Sequence, residues 1–127
     1  MSNDQLAAGV VALRPFVPSK DFELSKRFYA DLGFEVVPLG DGVAHVHIGD
    51  FAFLLQNYYV EAWAGNFMMH ILVTNLDDWW SSLSRLDLER RYGVRAPSEP
   101  KMQDWGLRVA YVVDPSGVLW HFAEEPA

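Results

Sequence analysis

The sequence predicts an α+β chain in which one βαβββ unit is used twice. Three observations carry this. Near the C-terminus, Asp114-Pro115-Ser116-Gly117 is a four-residue turn signal, with Pro suited to the second position and Gly to the last, set between two runs of strand-forming residues. In the first half, Val43 to Ile48, the Gly49-Asp50 turn and Phe51 to Gln56 form a counterpart hairpin. A stretch of helical periodicity precedes each hairpin.

In chain order, Val10 to Pro15 reads as the first strand. Pro18-Ser19-Lys20-Asp21 opens a helix whose Phe22, Phe28, Tyr29 and Leu32 recur at helical spacing before Gly33 ends it. Phe34 to Val37 is the second strand, and Gly40-Asp41-Gly42 turns into the third, Val43 to Ile48, which alternates strictly. Phe51 to Gln56 completes four strands around one helix. The second half repeats the order. Phe67 to Thr74 is a strand, and Asn75-Leu76-Asp77-Asp78 is an N-cap followed three residues later by a carboxylate. Leu76, Trp79, Trp80, Leu83 and Leu86 then form the buried stripe of a helix ending near Gly93. One short strand, Val94 to Ala96, fits before the Pro-containing stretch and the last hairpin. The organisation is a single domain over 1–127, with a first module over 9–56, a linker over 57–66 and a second module over 67–125.

A length of 127 residues suits one core without staples. The absence of cysteine excludes disulfides, thiolate nucleophiles and thiolate metal sites. No apolar run reaches the length of a membrane span, and the N-terminal residues lack the basic start of a secretory signal, so a soluble cytoplasmic protein is expected. The net charge of −7 disfavours nucleic acid and favours neutral or cationic ligands, although a modest negative charge also serves solubility alone. No Gly-x-Ser-x-Gly elbow or glycine-rich phosphate loop occurs. The acid pairs Asp77-Asp78 and Glu124-Glu125 fall at a helix start and at the terminus, where dipole and solvation account for them.

Superposing the halves gives a register. Arg14 and His70 each precede a helix-opening aspartate, Asp21 and Asp77, by seven residues, and matching the two hairpins sets Leu54 against His121. Arg14, Leu54, His70 and His121 are therefore expected at equivalent positions.

With this arrangement, Phe28-Tyr29-Ala30-Asp31-Leu32-Gly33-Phe34 after the first helix and Asp114 to Gly117 before the last strand, the chain resembles the vicinal oxygen chelate superfamily (glyoxalases, bleomycin-resistance proteins, dioxygenases). It is most similar to the bleomycin-resistance branch, through Trp105-Gly106, the Asp-Pro-x-Gly turn and His121-Phe122, over roughly residues 9 to 125. The resemblance implies a curved mixed sheet with helices outside, a homodimer whose grooves include both subunits, and antibiotic resistance by binding of a glycopeptide.

Enzymes of this superfamily hold a divalent ion on the four equivalent strands. Here Arg14 would repel the ion and Leu54 has no lone pair, which leaves His70 and His121. Gln56 shares the face of Leu54, so a metal set of His70, His121 and Gln56 completed by water is the alternative, and it would serve a lyase or dioxygenase. His45 and His47 also share a strand face, a pattern that an alternating strand gives without function.

The favoured reading is binding without turnover and without a metal. Tyr59, Trp63 and Trp105 lie in or beside loops and are suited to stacking on a planar or cationic ligand, with Glu61 and Asp104 balancing its charge. Arg14, Gln56, His70 and His121 complete the expected ligand-binding set, with Arg14 able to receive an acidic group instead. Core packing is expected for Trp79, Trp80 and Trp120.

Overall fold

The structure is a computed structural model that describes residues 2–127. It contains α1 (Asn3–Ala8), β1 (Phe16–Pro18), α2 (Phe22–Leu32), β2 (Glu35–Gly40), β3 (Val43–Ile48), β4 (Phe51–Gln56), α3 (Glu61–Ala64), β5 (Met68–Val73), α4 (Leu76–Arg85), α5 (Leu88–Tyr92), β6 (Lys101–Met102), β7 (Arg108–Val113) and β8 (Leu119–Glu124). The strands form two four-stranded mixed sheets, ordered β1-β4-β3-β2 and β5-β8-β7-β6. In each sheet the strand that precedes the long helix runs parallel to the last strand of its unit, and the other pairs are antiparallel. Among the described residues no helix is long and apolar enough to cross a membrane.

Capping fixes the long helices. The Asp21 side chain accepts a hydrogen bond from the Leu24 N–H, and Asn75 accepts one from the Asp78 N–H. Gly33 ends α2 with φ 116°, a left-handed conformation that a β-carbon would strain. The single second helix expected from the sequence is two, because Asp87 adopts φ 55° and turns the chain between α4 and α5.

Two other sequence expectations are corrected, and two short helices were not foreseen. The first strand lies at Phe16–Pro18, and residues 10–15, expected to form it, run outside both sheets with Val11 97 % and Leu13 93 % exposed. The short sixth strand is Lys101–Met102 and not Val94 to Ala96; Ser98 is tied to Tyr111, its N–H donating to the Tyr111 carbonyl at 3.1 Å. The linker contains the one-turn helix α3. A helix not foreseen, α1, is started by a capping box of Ser2 and Gln5.

The two sheets share one core. The open and packed faces alternate as the pleat requires: Val17, Ala44, Val46, Phe53 and Leu55 from the first sheet, and Ala110, Val112, Trp120 and Phe122 from the second, are buried together with Phe28, Tyr29 and Leu32 of α2. Leu76 and Leu83 of α4 are buried, whereas Trp79, Trp80 and Leu86 are only partly so. Tyr29 joins the halves. Its ring meets Phe34 and Phe53 edge-on, and its hydroxyl accepts a hydrogen bond from Trp120 Nε1 at 3.0 Å while donating to Asp114 Oδ2 at 2.5 Å.

Candidate functional site: two open sheet faces

The opposite faces of the sheets, turned away from the core, carry the chemistry. In β5 and β8, His70 and His121 are direct neighbours in the parallel register, and in β7 Tyr111 is the antiparallel partner of His121. The three side chains therefore share a face, with His70–His121 ring centroids 5.8 Å apart and Tyr111 edge-on to His121 at 5.0 Å. Trp105 is delivered to this face by the turn between β6 and β7. Gly106, at φ 102°, gives that turn its left-handed residue, and the Tyr111 hydroxyl donates to Gln103 Oε1 at 3.2 Å. The Trp105 ring stacks over His121 at 6.1 Å with 29° between the planes, and it remains 53 % exposed. A cleft of about 420 Å³ borders this cluster, lined by Arg95, Ser98, Tyr111, Leu119 and His121 among others.

The corresponding face of the first sheet carries His45 and His47, with ring centroids 5.1 Å apart, and His47 Nε2 lies 3.2 Å from the Glu35 carboxylate. Burial and the nearby Arg14 and His47 lower the His45 pKa, in that order. On the second sheet, burial and then His70 lower that of His121. The charges that perturb each imidazole thus come from its own half.

His121 stays neutral in the folded protein below the 6.5 of a free imidazole. Between that value and its own lower midpoint the unfolded chain binds more protons than the folded one, so stability falls as pH drops from about 6.5. An NMR titration of the imidazole protons should give His121 a midpoint below 6.5, and His121→Gln should reduce the loss of stability on acidification.

The register expected from the sequence needs correction. The helix caps are Asp21 and Asn75, whereas Asp77 lies inside the first turn of α4. The residue equivalent to His70 is consequently Phe16, and the Phe16–Leu54 pair in β1 and β4 mirrors His70–His121 in β5 and β8. Arg14 lies outside the strand. At the four strand positions where a metal would be held, the chain offers Phe16 and Leu54, which have no lone pair, and two imidazoles, so the donor set does not fit an ion. Gln56 does share the face of Leu54, but that face belongs to the first sheet and the histidines to the second. No group of three or more His, Asp or Glu side chains among the described residues is arranged to hold a metal.

The other expected ligand contacts are dispersed. Trp105, His70 and His121 are together. Trp63, in α3, packs against Phe67 and Tyr58, and Tyr59 lies under the Lys20 ammonium at 5.7 Å. Glu61 is exposed in the first turn of α3, and Asp104 is exposed beside Trp105. Tyr111, Ser98 and Arg95 were missed. Tyr111 was within reach of sequence reasoning, because pairing the strands through the Asp114 to Gly117 turn sets it near His121; Arg95 and Ser98 sit in coil and gave no periodic signal. A second cleft, about 460 Å³ and mainly apolar, opens between β4 and β5, lined by Phe51, Phe53, Met69, Ile71 and Trp120 among others.

Sheet pairing, the doubled unit and these open faces define a class. The chain belongs to the glyoxalase/bleomycin resistance protein/dioxygenase superfamily, whose family model matches residues 10–122. Among curated proteins it is 31 % identical to a bleomycin resistance protein of Klebsiella pneumoniae, a match covering 83 % of this chain and 85 % of that one. Among solved structures, a bleomycin-binding protein complexed with bleomycin superposes with a TM-score of 0.79 at 24 % identity, covering 92 % of this chain and all of the other. The bleomycin-binding protein of bleomycin-producing Streptomyces verticillus, complexed with copper(II)-bleomycin, gives 0.75 at 22 % identity, over 92 % and 98 % of the two chains.

Proposed function

We propose that this chain sequesters a planar or cationic small molecule in an aromatic cleft without a metal and without turnover, as a cytoplasmic homodimer whose clefts are completed by the second copy. The observation that carries the reading is the face around His121, where a half-exposed Trp105 stacks on the imidazole beside Tyr111 and His70. Exposed rings held at fixed separation offer a flat ligand dispersion and area burial at small entropic cost. The bleomycin-binding relatives support binding as the function, and a donor set of two imidazoles beside Phe16 and Leu54 does not favour the lyase or dioxygenase alternative.

Pairing is supported by two features. Arg14, His45 and His47 form one cluster and His70, Trp105 and His121 another, so a complete cleft calls for the face of one half to meet the other half of a second copy. The apolar arm with Val10, Val11 and Leu13 is exposed to water in a single chain, an arrangement that association relieves. Ligand contact at Arg14, Gln56, Tyr59, Glu61, Trp63 and Asp104 belongs to the same proposal.

Size-exclusion chromatography with light scattering should give twice the 14.4 kDa chain mass at micromolar concentration, and bleomycin in EDTA should raise the melting temperature. A monomer mass rejects the shared cleft. Absence of any thermal shift counts against sequestration of this class of ligand.

A further inference from the structure

The second-sheet cleft carries a cation that no side chain among the described residues neutralises. Arg95 lines it beside Ser98, Tyr111 and His121, and makes neither an ion pair nor a side-chain hydrogen bond among the described residues. Carboxylates are plentiful, 17 acidic residues against 10 basic, and Lys26, Arg90, Arg91 and Arg108 each have one within 3.2 Å. None of the residues lining the cleft is acidic.

Arg95 is also held in place. Val94 before it is buried, Pro97 restricts Ala96 to extended backbone, and Ser98 is clamped to β7 by two hydrogen bonds: its N–H donates to the Tyr111 carbonyl at 3.1 Å, and its hydroxyl accepts from the Tyr111 N–H at 3.0 Å. The backbone of Arg95 is thereby held at the border of a cleft walled by Tyr111, Leu119 and His121, which its side chain lines. A guanidinium presents a planar fork of N–H donors that matches a carboxylate or sulfonate, and it binds such groups more strongly where apolar walls exclude water. Arg14, outside the strands, is likewise without an ion-pair partner among the described residues.

We propose that the second-sheet cleft is a subsite for an aromatic acid, in which Arg95 takes the acidic group and the ring lies against Tyr111, Leu119 and His121. This rests on the binding function proposed above and narrows its ligand to a planar molecule bearing a negative charge at this position.

Calorimetric titration with 2-naphthoate and with neutral 2-naphthamide at pH 7.5 and low salt tests it, on the wild-type protein and on Arg95→Gln, whose exposed position leaves the fold intact. The acid should bind the wild type at least about tenfold more tightly than the amide, and Arg95→Gln should remove the difference. Equal affinity of the two compounds for the wild type, no binding of either, or a preference that survives in Arg95→Gln would each overturn the subsite. Bleomycin titrated into the same samples separates the two levels of the argument. Its binding without any acid preference sinks the Arg95 assignment alone, whereas absence of heat with bleomycin counts against sequestration itself.

Discussion

Replacing Asp114 with Ala should destabilise the protein by about 3–5 kcal/mol, the largest effect expected of any single polar residue here. The Asp114 carboxylate is buried and accepts three hydrogen bonds: from the Tyr29 hydroxyl at 2.5 Å, the Ser116 N–H at 2.8 Å and the Val118 N–H at 2.9 Å. Burial raises its pKa and its donors, the Tyr29 hydroxyl foremost and then the backbone N–H groups of Val118, Ser116 and Gly117, oppose the rise, so the group is tolerable only while they remain in place. Alanine would strand two N–H groups and one hydroxyl in the interior. Because small domains have only about 5–15 kcal/mol in total, Asp114→Ala should lower the urea midpoint steeply or prevent folding. Tyr29→Phe should cost less, roughly 2–3 kcal/mol, since it removes one donor to the carboxylate and the acceptor for Trp120 Nε1. A loss below about 1 kcal/mol for Asp114→Ala would show that the turn and the α2 tyrosine are not coupled in the way described.

Trp105→Ala should weaken ligand binding by about 2 kcal/mol or more, close to thirtyfold, with little change in stability. The indole is half exposed, so the folded chain loses little by its removal; a bound ring would lose one whole stacking wall. Trp63→Ala provides the contrast. Its indole packs against Phe67 and Tyr58 and not against the His121 cluster, and its removal should change binding by much less unless the second copy brings it to the cleft. Equal affinities of Trp105→Ala and wild type for bleomycin would remove the aromatic face from the account.

Much of the fold was legible because local signals and tertiary packing agree. The strict alternation of Val43 to Ile48 and the Asp114 to Gly117 turn place both hairpins, and Asp21 and Gly33 bracket α2. Legibility fails where the tertiary environment decides. Val10 to Pro15 has strand composition, but among the described residues only its end meets a sheet, where the Pro15 carbonyl accepts from the Leu54 N–H, and α4 ends early because Asp87 enters the left-handed region that sequence periodicity does not reveal. The site was half legible. His70, His121 and Trp105 are brought together as their strands and turn imply. The error at Arg14 arose from matching Asp21 to Asp77 and not to the cap read at Asn75, a two-residue slip that moves the equivalent position to Phe16. Arg95 could not be found by periodicity, because hydrogen bonds from the coil at Ser98 to β7 set its place.

The most direct test of binding without metal or turnover is a calorimetric titration with bleomycin in EDTA, followed by chromatographic recovery of the ligand. Saturation at one molecule per chain, with the ligand recovered unchanged, is the predicted result. No heat under these conditions, or binding and chemical conversion that begin only when a divalent ion is restored, would contradict it.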